Sequence, residues 1–168
     1  MHRMKWFTTV LLPFALLLAG CSGGEGGSLG TSSAQTNAVA GVVTNNSGVR
    51  DDVERYITNT YSGPDQAQTK AALMQYARVL QALLVDASTP ATTTKAIAGN
   101  HLQELVDAFQ CLAARRPDDY LILRDELKQL VLDTEARQQV YSQAAILAED
   151  SVPGIKYRNP SHWAQGCP

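Results

Sequence analysis

The 168-residue chain lacks an excess of either charge, with 14 Lys and Arg against 16 Asp and Glu, a formal balance of −2. Proteins that bind nucleic acid by bulk electrostatics carry a clear basic excess, so that class is excluded. Long apolar runs are also missing. The longest, Trp6 to Leu18, is 13 residues and is interrupted by Pro13; as a helix it spans about 20 Å, short of the ~30 Å hydrocarbon core of a bilayer. There is no Gly-rich phosphate loop, no nucleophile elbow and no zinc-protease helix, which removes the recognisable nucleotide, acyl-transfer and metalloprotease signatures. Cys and His are too few and too scattered for a metal site. Glycine is nearly absent between Pro64 and Asp150, where only Gly99 occurs. No stretch alternates with period two, so strands are not expected. The three cysteines are an odd number, which requires one of them to have a separate role.

What is present begins with an export signal over residues 1–20. His2, Arg3 and Lys5 form a basic start, the apolar run follows, and Leu18-Ala19-Gly20-Cys21 closes it. This tetrapeptide resembles the lipobox of bacterial lipoproteins. The resemblance covers about the first 22 residues. It implies that Cys21 is lipidated on sulfur, that the chain is cut before it, and that the new amine is acylated; a plain secretory signal followed by a chance cysteine is the other reading. Loss of residues 1–20 leaves 12 basic against 16 acidic side chains, a balance of −4. A mildly acidic surface does not dock on anionic headgroups by charge, so the membrane partnership rests on the lipid. In lipoproteins of this kind the residue after the cysteine influences sorting. Here it is Ser22 and not Asp, which is compatible with an outer-membrane location facing the periplasm if the host is Gram-negative.

Residues 21–46 read as the lipidated cysteine and a flexible tether. The stretch is rich in Gly, Ser, Thr and Asn and has no aromatic residue, so it cannot bury enough surface to offset its ordering entropy. As a coil its reach is about 27 Å. Val39 to Val43 is its one apolar patch and the one part with a reason to dock on the domain.

Residues 47–168 read as an all-α domain. Val49, Val53, Ile57 and Tyr61 recur every four residues. Leu73, Ala77, Leu80 and Leu84 follow a 4-3-4 pattern, and Ile97, His101, Leu105, Ala108 and Leu112 a 4-4-3-4 pattern. Leu123, Leu127 and Leu130, then Val140, Ala144 and Leu147, complete the set. Pro64, Pro90, Pro117 and Pro153 fall between these stretches, where proline is confined to first turns and exits. The expected helices lie near 48–61, 64–87, 91–115, 118–132 and 134–149. Gly63-Pro64 and Thr89-Pro90 read as caps with proline at the first helical position, and Pro117-Asp118-Asp119 puts two carboxylates in a first turn. Gly99-Asn100 marks either a kink or the true start of the third helix. The last two helices are either continuous or broken at Thr134, where the apolar face shifts. Short connections give a four- or five-helix up-and-down bundle with an irregular tail from about 151.

With Cys21 set aside for lipid, Cys111 and Cys167 remain. In an oxidising compartment they most simply pair, closing a 57-residue loop worth about 4 kcal/mol in the chain-entropy model. Such a bridge ties the tail back and allows Tyr157 and Trp163 to lie against the bundle. Other candidate chemistry is sparse. His101 and Glu104 share a helix face and could hold a metal, although His101 also falls on the apolar stripe. His162-Trp163 could contact a ligand or simply pack. Asp118-Asp119 and Asp125-Glu126 are adjacent carboxylates that suit helix ends and exposed faces. Arg115-Arg116 complements a helix C-terminus or binds an anion. No cofactor and no metal is expected.

Leu73-Met74-Gln75-Tyr76-Ala77 and Leu102-Gln103-Glu104-Leu105-Val106 look alike at an offset of 29, which reads either as a helical repeat or as the match that two amphipathic helices show by periodicity alone. The layout remotely resembles the pilotins of type II secretion, through its architecture and through Gln110-Cys111 followed by Pro117-Asp118-Asp119. That resemblance implies a helical domain that captures a protein helix; it transfers no binding residues. The expectation is a lipid-anchored envelope protein, not an enzyme, whose helical domain binds a protein partner or acts as a scaffold. The alternatives are an immunity or inhibitor lipoprotein against a toxin or hydrolase, and a small periplasmic enzyme.

Overall fold

The computed structural model describes residues 38–89 and 93–168, and among these residues there are five α-helices and three short 3₁₀ turns, besides a helical turn at 38–40. The helices are α1 (Asp51–Thr60), α2 (Ala67–Ala87), α3 (Lys95–Arg115), α4 (Tyr120–Val131) and α5 (Glu135–Ala148). Among the described residues there is no strand. The export signal, Cys21, the tether up to Asn37 and the Thr89-Pro90 cap lie, wholly or in part, outside the described residues.

Local chemistry explains where each helix begins. Pro64 opens a 3₁₀ turn, Pro64–Gln66, that runs into α2, while the Gly63 amide donates to Gln66 Oε1 at 3.3 Å. The third helix starts at neither of the expected points. Thr94 caps it by accepting from the Ile97 amide at 3.3 Å, and Gly99 lies inside the continuous helix. The threonine run, a poor helix former, thus supplies the cap. α4 starts at Tyr120, so Asp118 and Asp119 precede the helix and do not lie in its first turn. α4 and α5 are separate: Thr134 accepts from the Arg137 amide at 3.3 Å and caps α5.

α2 and α3 form the centre of the bundle. α5 packs across both, α4 packs on both from another side, and α1 lies on α2 and α4. The predicted stripes on α1 and α2 are buried throughout: Val49, Val53, Ile57 and Tyr61, then Leu73, Ala77, Leu80 and Leu84. Of the expected stripe on α3, Ala108 and Leu112 are buried, whereas Ile97, His101 and Leu105 are half-buried. The C-terminal half of α3 is therefore the core half. Leu127 and Val131 of α4 and Val140 and Ala144 of α5 complete the core. Burial pushes the Tyr76 phenol up to about 12. At the α3–α4 corner Phe109 and Tyr120 pack with ring centroids 5.3 Å apart, and the Arg124 guanidinium sits 5.3 Å from the Phe109 ring.

Two expectations are corrected. First, the tether does not extend to Asn46. Val39 is fully buried in the core, and residues 38–50 form a strap against the bundle. The polar residues of the strap have partners in the acidic first turn of α1. Thr44 donates twice to the Asp51 carboxylate at 2.8 Å, Asn45 Nδ2 donates to Glu54 at 2.8 Å, and Ser47 Oγ donates to the same carboxylate at 2.7 Å. The low-complexity residues here stay exposed to solvent but also serve as ligands of the helix end. Second, within the expected irregular tail, which carries two 3₁₀ turns, Glu149–Gly154 and Pro160–Gly166, one aromatic is placed otherwise than expected. Tyr157 does not lie on the bundle but is 72% exposed. Trp163 is half-buried, and its indole donates to the Arg158 carbonyl at 2.9 Å.

Candidate functional site

The most densely bonded polar cluster lies where the strap meets the α4–α5 corner. Arg50, buried just before α1, donates to the carbonyls of Leu130 at 2.9 Å and Val131 at 3.3 Å. These are C-terminal carbonyls of α4 with no partner inside their own helix. The same guanidinium pairs with Asp52 and with Asp133, the latter at 3.0 and 3.2 Å. It holds the Asp52 carboxyl below the usual carboxylate range, chiefly through the hydrogen bond between them. Arg137 of α5, also buried, donates from Nε to the Val39 carbonyl at 2.9 Å and pairs with Asp133. Gln81 of α2 donates to the Ala40 carbonyl at 2.8 Å.

Gly41 passes between the two arginines with φ +68°. A Cβ there would stand 2.5 Å from Arg50 Cδ and 2.9 Å from Arg137 Nη2. Gly41→Ala is therefore expected to destabilise the domain by about 2 kcal/mol, through left-handed backbone strain and displacement of a pinned side chain. A urea unfolding midpoint unchanged from wild type would show that the strap is not held as described.

The two arginines of this cluster are taken up by their own partners, although Gln81 Oε1 is buried with none. Bonding capacity remains at a second place, a cleft of about 390 Å³ between α2, α3 and the tail. Gln75, Arg78, Val79 and Ala82 line it from α2, Glu104 and Asp107 from α3, and Arg158 from the tail. Arg158 is positioned from several directions. Its amide donates to Gln110 Oε1 at 3.4 Å, and its carbonyl accepts from Trp163. Two residues earlier, Gln103 of α3 accepts from the Lys156 amide at 2.7 Å and donates to the Lys156 carbonyl at 3.0 Å. Arg158 Nη2 lies 3.3 Å from Asp107, while its Nη1 is buried with no hydrogen-bond partner. Arg78 donates from Nε to the Ser47 carbonyl at 2.7 Å.

The residues singled out from sequence are distributed as follows. Cys111 and Cys167 form a disulfide with 5.2 Å between their Cα atoms, Cys111 wholly buried. His101 sits between two carboxylates, with Nε2 2.7 Å from Asp86 and Nδ1 3.2 Å from Glu104. Both ring nitrogens are engaged, so this His–Glu pair presents no nitrogen to a metal. Among the described residues no group of three or more His, Cys, Asp or Glu is arranged to hold one. His162 is exposed. Arg116 pairs with Asp119, Arg115 donates to Gln68 at 2.9 Å, and Asp125 pairs with Arg124. None of these is brought to the cleft except Glu104.

Sequence reasoning passed over Arg50, Arg137, Asp107 and Arg158. One signal for Arg137 existed: it lies three residues before Val140 on the stripe that continues through Ala144 and Ala148, and a cation on a core stripe marks a buried partner. No helix among the described residues is long and apolar enough to cross a membrane. Compared with known protein families, with curated proteins and with solved structures, the chain matches none.

Proposed function

We propose that the chain is a lipid-anchored cell-envelope protein whose helical domain binds a protein partner, as an accessory or scaffold of an envelope assembly. The observation that carries the binding reading is the first turn of α4. Leu121 and Ile122 are adjacent there and are 46% and 61% exposed, while the buried stripe of the same helix is Leu123, Leu127 and Val131. Tyr56 of α1, a helix in contact with α4, is exposed as well. Single exposed apolar residues are ordinary, but two large ones side by side on one helix favour a contact surface.

The lipobox supports the anchor. In this reading the spacer is shorter than composition suggested, because the first packed residue is Val39. From Ser22 to Asn37 it has 16 residues, and as a coil would reach about 20–24 Å. One or two acyl chains more than the single marginal one give firm retention, and the partner surface would then stay close to the membrane.

The test has two arms in the full chain. Metabolic labelling with an alkyne fatty acid should mark the protein and place it in the membrane fraction, and Cys21→Ser should abolish both. Equal labelling of Cys21→Ser would sink the anchor. A photo-crosslinking residue at position 122 should trap one discrete envelope protein, with loss of that product on Leu121→Ser. Crosslinks to lipid alone, or none, would remove the binding surface from α4.

A further inference from the structure

The cleft between α2, α3 and the tail is built of opposite charges around an apolar floor, and it lies on different elements from the exposed start of α4. Arg158 and Arg78 supply the cations, Glu104 and Asp107 the carboxylates, and Val79 and Ala82 the aliphatic surface. Its volume of about 390 Å³ falls at the small end of the range for small-molecule sites. The Nη1 group of Arg158 is buried in the wall without an acceptor. The Arg158 side chain as a whole is 34% exposed and pairs only with Asp107 through Nη2, so its guanidinium is open to an incoming oxyanion, toward which a small turn brings the unpaired Nη1.

The spacing argues for more than an anion. Asp107 fixes the level of Arg158 through their 3.3 Å contact. Glu104 is three residues earlier on α3, so it lies on the same face, about 4.5 Å back along the helix axis. A simple phosphate or acetate meeting Arg158 would face this second carboxylate and be repelled by it. A molecule with a carboxylate at one end and an ammonium a few ångströms away is matched at both ends. His101 engages one oxygen of Glu104 at 3.2 Å, which holds that carboxylate in place. Val79 and Ala82 then receive an aliphatic side chain.

We propose that this cleft binds a small zwitterion of the α-amino acid or short-peptide class, its carboxylate on Arg158 and its ammonium toward Glu104. The proposal does not depend on the lipid anchor or on a protein partner at α4. Free amino acid and peptide share this chemistry, and the probes separate them.

The full chain in detergent would be titrated by calorimetry with L-leucine, with L-alanyl-L-leucine, and with the N-acetylated and C-amidated forms of the dipeptide. At least one unblocked probe should bind saturably, and each blocked form should bind at least about tenfold more weakly. Tighter binding of leucine assigns the free amino acid, and tighter binding of the dipeptide assigns the peptide. Arg158→Gln should weaken the unblocked probe about tenfold and erase its advantage over the amide; Glu104→Gln should erase its advantage over the acetylated form. The blocked probes act on the unaltered protein, so the result survives a variant that folds poorly. No saturation below about 10 mM with either unblocked probe, or equal affinity for blocked and unblocked forms, would overturn the proposal.

Discussion

Arg50→Met is expected to lower the unfolding free energy of the domain by about 3 kcal/mol. Methionine keeps most of the aliphatic stem, so packing loss is small and the effect isolates the guanidinium. That group satisfies the Leu130 and Val131 carbonyls, which are left without it at a buried helix end. Each orphaned carbonyl costs about 1–3 kcal/mol. The ion pairs contribute less than their geometry suggests, because the Asp52 and Asp133 side chains are 47% and 42% exposed and are screened by water. A urea titration of both proteins would measure the difference, and a change under about 1 kcal/mol would mean that the strap does not depend on Arg50.

The same substitution should alter the acid limb of stability. Asp52 titrates below its ordinary value of 3.8 in the folded protein, chiefly through its hydrogen bond to Arg50. A carboxyl whose folded pKa is depressed adds stability that is fully present above the unfolded value and is lost as pH falls through the folded one. The wild-type advantage over Arg50→Met should therefore be constant near neutrality and shrink below about pH 4. A gap that widens on acidification would contradict the pairing.

How far these features were legible depends on the range of the interactions that make them. The break at Thr134 is local. The shift of the apolar face between Leu130 and Val140 requires the helix axis to turn, and a threonine is present to cap the next segment. The α2 stripe from Leu73 to Leu84 is legible because it is buried along its whole length. The stripe on α3 is misleading in its N-terminal half: Ile97, His101 and Leu105 have the right period but only part of the burial, since that half packs less closely and leaves a small apolar pocket between Leu102, Leu105, Leu83 and Tyr141. Spacing reports which residues share a face and says nothing about what covers it.

The strap and the cleft were hidden for a different reason. Arg137 reaches the Val39 carbonyl 98 positions away, and Arg50 reaches Val131 across 81. The acceptors are backbone groups, which carry no residue signature. Polar composition before Ser47 therefore read as solvated coil. Arg158 belongs to a tail without periodicity, and its place opposite Glu104 and Asp107 follows from the Gln103, Gln110 and Trp163 hydrogen bonds. The cysteine pair was legible by elimination, since the expectation that Cys21 carries lipid left two thiols to pair. Its consequence for the cleft was not.

Cys167→Ser is expected to destabilise the full chain by up to about 4 kcal/mol, the chain-entropy value for a bridge joining residues 56 positions apart. The half-buried Cys167 is the better position to replace. Cys111 lies fully inside the core, and a serine hydroxyl there adds its own desolvation cost, so Cys111→Ser should be the more damaging of the two. The loss should also be graded along the chain. The tail packs mainly on α3, through the Pro160–Gly166 turn and the Gln103–Lys156 bonds, and those hydrogen bonds are worth about 1 kcal/mol each in exposed surroundings. They are too weak to hold the tail as firmly as the bridge does, so the tail should open below the global transition while the α2–α3 core remains folded. Trp163 reports the first event: its fluorescence should change at a lower urea concentration than the helical signal in Cys167→Ser, and together with it in wild type. Arg158 leaves the cleft in the same step, so amide exchange at residues 156–158 should accelerate without faster exchange along α2. Coincident transitions in the variant, with a loss below about 1 kcal/mol, would show that the hydrogen bonds to α3 hold the tail without the bridge.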